Sequence, residues 1–313
     1  MSETGQPTSY TRRQLFGYLT LCLIWGSTWL AIREVVSYVP PLEAAGLRFL
    51  AAGLLLLGLA WLRKRTWPRG DRQWNAILLL SVTMMAIPFG LVFWAEQHIM
   101  SSMTAILYSA SPLVVSLLTP VFLHRKVPRS AVLAMVVAFG GIAALFYTEL
   151  SVTRSALLGG LSVLAAMLIS GCSTVYAKTR LHEIDPMIAT GLQLLFGSIP
   201  LLWGTWALEA HRHALWNAPA LASLAFLTVF GSCVAFVVYY WLLKTLQPYQ
   251  ITSINLVVPV VAVLEGALFK GERVPWLMIT VIVVVLVSVG SVLRAEAVGE
   301  RQVDILMLRD KTS

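Results

Sequence analysis

Charged side chains are missing from long stretches of this chain. Runs free of Asp, Glu, Lys and Arg occupy residues 14–32, 73–95, 97–124, 130–148, 155–177, 186–208, 213–243, 245–264 and 274–293. A further stretch, 41–62, is apolar except for Glu43 and Arg48. A helix needs about 20 apolar residues to cross the hydrocarbon layer of a bilayer. The run at 213–243 opens with polar residues, so its helix is expected to begin near Pro219. The pattern predicts ten spanning helices, at about 14–36, 41–62, 74–96, 100–123, 130–148, 155–178, 186–208, 219–243, 249–269 and 274–294. The runs are continuous, whereas a membrane β-barrel alternates apolar and polar positions over about ten residues. The expected fold is an all-α integral membrane protein. Connections are short, and no segment between Arg13 and Leu293 has room for a domain outside the bilayer.

Composition agrees. The 313 residues are 58% hydrophobic and 12% charged, with a mean hydropathy of +0.78. A soluble domain carries about 25% charged residues, so this chain cannot cover a water-facing surface of its size. Cys22, Cys172 and Cys233 lie inside apolar runs, without metal-ligand spacing or the density of a disulfide framework. They read as small apolar residues, and no metal or other cofactor is expected. The first apolar run is too long for a signal-peptide core and has no small-residue cleavage site, so no cleaved leader is expected.

The net charge of +8 raises the question of nucleic acid. The position of the charges answers it. With ten spans, one side of the bilayer receives the N-terminus, 63–73, 124–129, 178–185, 244–248 and the C-terminus, which together hold 17 of the 23 Lys and Arg residues. The other side holds Arg33, Arg154, Arg212, Lys270 and Arg273, and Arg48 lies within a span. The positive-inside rule then places both termini in the cytoplasm. Basic residues explained as topology signals leave no nucleic-acid surface. The expected partners are the lipid bilayer and a small-molecule substrate, with the chain a monomer or homodimer.

The chain also repeats itself. PLVVSLLTPVFLHRKVP (112–128) and PVVAVLEGALFKGERVP (259–275) have the same length and agree at Pro112/Pro259, Val114/Val261, Leu117/Leu264, Phe122/Phe269, Val127/Val274 and Pro128/Pro275, an offset of 147. Phe89/Phe236 and Trp94/Trp241 share that offset. PLEAAGLRFL (41–50) matches PMIATGLQLL (186–195) at an offset of 145, as Gly26 matches Gly171. Each half holds five spans. Five is odd, so the second half enters from the opposite face, giving two inverted-topology repeats. Such repeats characterise secondary transporters, with the substrate near the midplane between the halves. The expected division is a tail at 1–13, repeats at 14–148 and 155–294, and a second cytoplasmic tail at 295–313.

IWGSTWLAIR (24–33), PLEAAGLRFLAAG (41–53), SASPLVVSLLTPVF (109–122) and VVPVVAVLEGALFKGERVP (257–275) resemble the ten-helix, EamA-type members of the drug/metabolite transporter superfamily. The resemblance spans roughly residues 14 to 295. It implies transport of small metabolites, amino acids among them, at the bacterial inner membrane, and is nearly silent about substrate. One departure stands out. The first copy ends LHRKVP, where the family commonly carries a Gly-Glu pair, as at Gly271-Glu272 here.

Ionisable groups inside a span are expensive and by default mark a site. Glu265 lies deep in the ninth span with uncharged neighbours from Gln250 to Phe269. It can exchange a proton during transport, bind a substrate ammonium, or hydrogen-bond backbone freed by a proline. Arg48 can hold a substrate carboxylate through its fork of donors; structurally it can pair with Glu43, Glu34 or Glu265, or snorkel outward. Glu96 and His98 close the third span and read as a wetted loop edge rather than a proton gate. Polar and aromatic candidates for a cavity are Trp25, Ser27, Thr28, Trp94, Tyr108, Ser111, Ser173, Tyr176, Gln193, Tyr239, Tyr240, Trp241 and Asn255, set against ordinary packing. Pro112 and Pro259 fall at matching positions of the two halves and read as hinges or as breaks that open a site. Gly140, Gly141, Gly159 and Gly160 read as close helix contacts.

An integral-membrane enzyme is the first rival. Its metal-binding Asp residues would cluster, but Asp71, Asp185, Asp304 and Asp310 lie outside the spans and far apart. No H-E-x-x-H, G-x-S-x-G or phosphate-binding glycine loop appears. A channel needs a ring of charges or a filter, and a receptor has no need of an inverted repeat. The expectation is a non-enzymatic secondary-active or facilitative transporter, with a cavity lined by spans one, three, four, six, eight and nine.

Overall fold

A computed structural model describes residues 11–145, 154–270 and 276–310, all helices and connecting turns. Residues 1–10, the end of the expected first repeat at 146–148, and Gly271, Glu272 and Pro275 lie outside the described residues. The helices are α1 (Arg12–Val36), α2 (Pro41–Leu62), α3 (Asp71–Ala95), α4 (Ser101–Tyr108), α5 (Ser111–Leu123) and α6 (Arg129–Leu145). Then come α7 (Arg154–Arg180), α8 (Pro186–Leu208), α9 (Ala218–Thr245), α10 (Pro248–Thr252), α11 (Ile254–Lys270) and α12 (Trp276–Asp310). Among the described residues, seven helical stretches are long and apolar enough to cross a membrane by length and composition: α1, α2, α3, Met103–Leu123, α7, α8 and α9. Shorter apolar helices run at Arg129–Ala144 and Ile279–Arg294. The expected cytoplasmic tail from residue 295 is a continuation of α12 as far as Asp310.

Local chemistry sets the starts. Thr11 and Gln14 form a capping box on α1, with the Thr11 hydroxyl accepting from the Gln14 N–H at 3.2 Å. Pro41 and Pro186 occupy the first turns of α2 and α8, where a missing N–H costs nothing. Asp185 caps α8 by accepting from the Met187 N–H at 2.9 Å and also pairs with Arg65 at 3.3 Å. Asn217 caps α9 through the Ala220 N–H, also at 2.9 Å.

The outer surface is apolar. Leu23, Leu54, Leu55, Leu117, Val121 and Leu161 all point outward, the inverse of a soluble protein and the state that lipid stabilises. Trp61, Trp206 and Trp276 are exposed near helix ends, where indole rings settle at the membrane interface.

Contacts between the helices pair off. α2 packs along α8, and α6 along α12. α1 lies on α11 and α9, while α7 lies on α5 and α3. The α2–α8 contact is close because small residues line it. A Cβ on Gly53 would come within 2.8 Å of the Leu195 backbone nitrogen, and one on Gly191 within 2.9 Å of the Leu57 side chain. The glycines singled out from sequence behave unevenly. A Cβ on Gly159 would meet Ile99 at 3.0 Å, but one on Gly140 would meet nothing within 4 Å.

Irregularities also come in pairs. α3 contains a π-helical segment at Ser81–Ala86, and α9 one at Leu227–Val234. Adding the repeat offset of 147 to the first places it inside the second. The fourth expected span breaks at Ser109–Ala110 into α4 and α5, with Pro112 in the first turn of α5. The ninth breaks at Ser253 into α10 and α11, with Pro259 inside α11. π segments widen a helix and recur at functional sites.

Candidate functional site

The breaks and the π segment of α3 border a cavity of about 100 Å³ among the helices. α1 contributes Trp25, Thr28, Trp29 and Ile32, and α2 contributes Arg48. α3 adds Pro88 and Phe89, and the α4–α5 break adds Tyr108 and Ser111. From the other half come Ser170 and Thr174 of α7, Phe236 and Tyr239 of α9, and Asn255 of α11.

The walls are aromatic. Trp25 meets Phe236 edge-on at 5.8 Å and Tyr239 at 5.4 Å between ring centroids, and Phe89 meets Phe236 at 5.8 Å. Trp29 packs on Tyr108 at 5.7 Å. The polar groups of the wall bind one another. The Tyr108 and Ser170 hydroxyls are 2.8 Å apart, as are those of Thr174 and Tyr239, and the Asn255 amide donates to the Ser111 hydroxyl at 2.7 Å.

Arg48 is 1% exposed. Its Nε donates to the Ser232 hydroxyl at 2.7 Å and its Nη2 to the Gly231 carbonyl at 3.0 Å. Both acceptors belong to the π segment of α9. The guanidinium lies over the faces of Phe49, Phe89 and Phe93 at 5.2–5.8 Å. Its Nη1 has no partner. The expected structural partners Glu43, Glu34 and Glu265 are not among its contacts. At the repeat-equivalent position, α8 carries Gln193, which accepts from the Tyr240 hydroxyl at 2.6 Å and donates to the Ala189 carbonyl at 2.9 Å.

Other sequence candidates fall elsewhere. Glu265 is half-buried where α11 meets α1, and its carboxylate accepts from the Ser27 hydroxyl. That pair does not line the cavity. Ser173 donates to the Thr83 hydroxyl at 2.9 Å, bridging α7 to the π segment of α3. Tyr176 sits under Arg180 at 5.6 Å. Trp94 stacks on His98 with centroids 4.1 Å apart.

Trp94 and His98 line a second, polar cavity of about 560 Å³ with Arg33, Ser37, Glu96, Gln97 and Arg212. Arg212 donates to the Gln97 amide oxygen at 2.9 Å, and Arg33 to the Glu96 and Ile99 carbonyls. Glu96 differs from its reading as a wetted loop edge. It follows the last residue of α3 and is 0% exposed. Its Oε2 accepts from the Ser101 hydroxyl at 2.6 Å, and its Oε1 has no partner. Burial pushes its carboxyl up to about 7, against the hydrogen bonds of Ser101 and Thr104 and the charge of Arg33. The short turn that follows brings the Ser101 hydroxyl onto the carboxylate, a burial invisible in the residue pattern.

Sequence reasoning also missed Trp29, Phe89, Ser170, Thr174 and Phe236 as cavity residues. A signal was present for three of them. Phe89 and Phe236 were already matched by the repeat, and Trp29 lies one helical turn from Trp25.

A bundle of apolar-surfaced helices around a small central cavity defines a multi-pass membrane protein. The model of the EamA-like transporter family matches twice, at residues 13–147 and 157–294, and the chain belongs to that family. It is 32% identical over 286 residues to the uncharacterized inner membrane transporter YedA of Escherichia coli K12, covering 89% of this chain and 92% of that one. It is 27% identical over 261 residues to the uncharacterized transporter YoaV of Bacillus subtilis 168, covering 83% and 89%. A crystal structure superposes with a TM-score of 0.76 at 13% identity over 90% of this chain and 96% of that one, a likeness of fold alone. Family and relatives are named as transporters rather than enzymes.

Proposed function

We propose that the protein is a carrier that moves small metabolites across the inner membrane by alternating access between two five-helix halves, driven by a gradient or by exchange. The observation that carries this reading is the central cavity, whose wall is drawn from both matched copies of the family model. The paired interruptions support it. π segments in α3 and α9, and breaks at Ser109–Ala110 and Ser253, give each half a deformable helix beside the cavity. The pairing of contacts supports an inverted repeat, since α1 on α11 and α9 answers to α7 on α5 and α3. With ten spans, the basic loops favour cytoplasmic termini. Substrates in this reading are small amphipathic metabolites.

The test is uptake of a pooled metabolite panel into proteoliposomes, with and without an inward proton gradient. Uptake of at least one solute above protein-free vesicles is expected. Accumulation that follows the gradient makes the protein a proton-coupled carrier, and equilibration alone makes it facilitative. No uptake of any solute in either condition contradicts the reading.

A further inference from the structure

Among the described residues, the buried side-chain atoms left without a hydrogen-bond partner are Trp29 Nε1, Arg48 Nη1, Glu96 Oε1 and Thr190 Oγ1. Trp29 and Arg48 both line the central cavity, and their orphaned atoms are both donors. Several neutral polar groups of the same wall bind one another instead, as the Tyr108–Ser170, Thr174–Tyr239 and Asn255–Ser111 contacts show. Among the described residues, the wall contains no carboxylate to neutralise Arg48. A buried cation without a counter-ion is costly, as is a buried donor without an acceptor. The arrangement therefore suits a ligand that supplies acceptors and one negative charge.

We infer, taking the transport reading as its basis, that the central cavity selects a small organic monoanion, a carboxylate on an aromatic or other apolar body, held at Arg48. Nε and Nη2 are committed to Ser232 and Gly231, which fixes the plane of the guanidinium and leaves Nη1 for the ligand. Trp29 Nε1 supplies a second donor. Trp25, Phe89 and Phe236 offer apolar surface for the body of the molecule. A dianionic phosphate ester would bring a second charge with no second cation in the wall. A zwitterionic amino acid would bring an ammonium with no carboxylate to receive it, and Phe49, Phe89 and Phe93 already face the guanidinium. The repeat sharpens the point. The equivalent residue of the other half is the neutral, internally satisfied Gln193, and among the described residues of the wall Arg48 alone carries a charge.

The experiment titrates purified full-length protein with four compounds that share one ring and differ in charge: 3-phenylpropionate, 3-phenylpropanamide, 3-phenylpropylamine and L-phenylalanine. Tryptophan fluorescence reads binding, since Trp25 and Trp29 line the cavity, and thermal shift confirms it. The expected order places 3-phenylpropionate first by at least tenfold. Arg48→Gln is expected to weaken the acid by about tenfold to a hundredfold, the range of a hydrogen bond to a charged group, and to weaken the amide less. Should that variant not fold, Trp29→Phe keeps the cation, removes the other donor and is expected to weaken the acid by a few fold. Equal or tighter binding of the amine, the amide or phenylalanine overturns the inference, and so does failure of the acid to bind. Uptake of panel solutes without preference for the anion defeats the substrate assignment and leaves the carrier standing. Tight binding of the acid without uptake of any solute defeats the carrier instead.

Discussion

Replacing Glu96 by Gln removes one titrating proton from a carboxyl that the fold shuts away from water. The ordinary value of 4.5 rises to about 7, with burial as the main cause. The folded protein therefore holds this proton more tightly than the unfolded chain. Its contribution to stability is whole below about pH 4.5 and is lost as pH rises through about 7. At 1.36 kcal/mol per pKa unit, the full contribution is about 3 kcal/mol, most of which disappears between about pH 5 and 8. For a chain of this size that is a fall of roughly 5 °C in melting temperature. Arg33, His98 and Arg212 face the same cavity and remain in the variant, so the difference between wild type and Glu96→Gln isolates this carboxyl. Thermal unfolding of detergent-purified protein at pH 5, 6, 7 and 8 measures it. Wild type should lose stability relative to the variant as pH rises. Parallel curves would refute the burial argument, and the opposite slope would mean that Arg33 holds the ionised form.

Three further outcomes are expected. Gly53→Val drives new atoms into the Leu195 backbone, which cannot move aside, and should destabilise the α2–α8 contact by about 1–3 kcal/mol, whereas Gly58→Ala, which meets nothing, should be neutral or stabilising; melting temperatures check both. Ser232→Ala leaves Arg48 Nε without its acceptor and should lower stability by about 1–3 kcal/mol while sparing expression, as followed by thermal unfolding. If uptake in proteoliposomes follows a proton gradient, Glu265→Gln should abolish that dependence, and a gradient dependence that survives the substitution would leave Glu265 as a packing partner of Ser27.

The helices were legible because lipid imposes a pattern on the residues that face it. Runs without charge predicted α1, α2, α7, α8 and α9 to within a few residues, and Pro41 and Pro186 marked two starts where proline is tolerated. The repeat was legible because both copies kept the same prolines and aromatics. The π segments were not, since SVTMMA and LTVFGSCV contain nothing that an ordinary helix would refuse. The site was half legible. Trp25, Arg48, Tyr108, Ser111, Tyr239 and Asn255 were chosen as polar or aromatic residues in apolar helices, and all line the cavity. Glu265 was chosen by the same rule and does not, because position within a span does not tell which face of α11 it occupies. Glu96 was set aside because it ends a run, yet the turn that follows buries it completely. That Arg48 has no acid beside it could emerge only once α9 was seen to supply Ser232 and Gly231 instead.

Counterflow in proteoliposomes tests the central claim most directly. Vesicles are loaded with an unlabelled solute that the uptake panel identifies, diluted into the same solute at trace label, and followed in time. A carrier that alternates its cavity between faces should accelerate and transiently accumulate the label. Label that merely equilibrates, at a rate indifferent to the internal solute, would mean a continuous pore and would contradict alternating access.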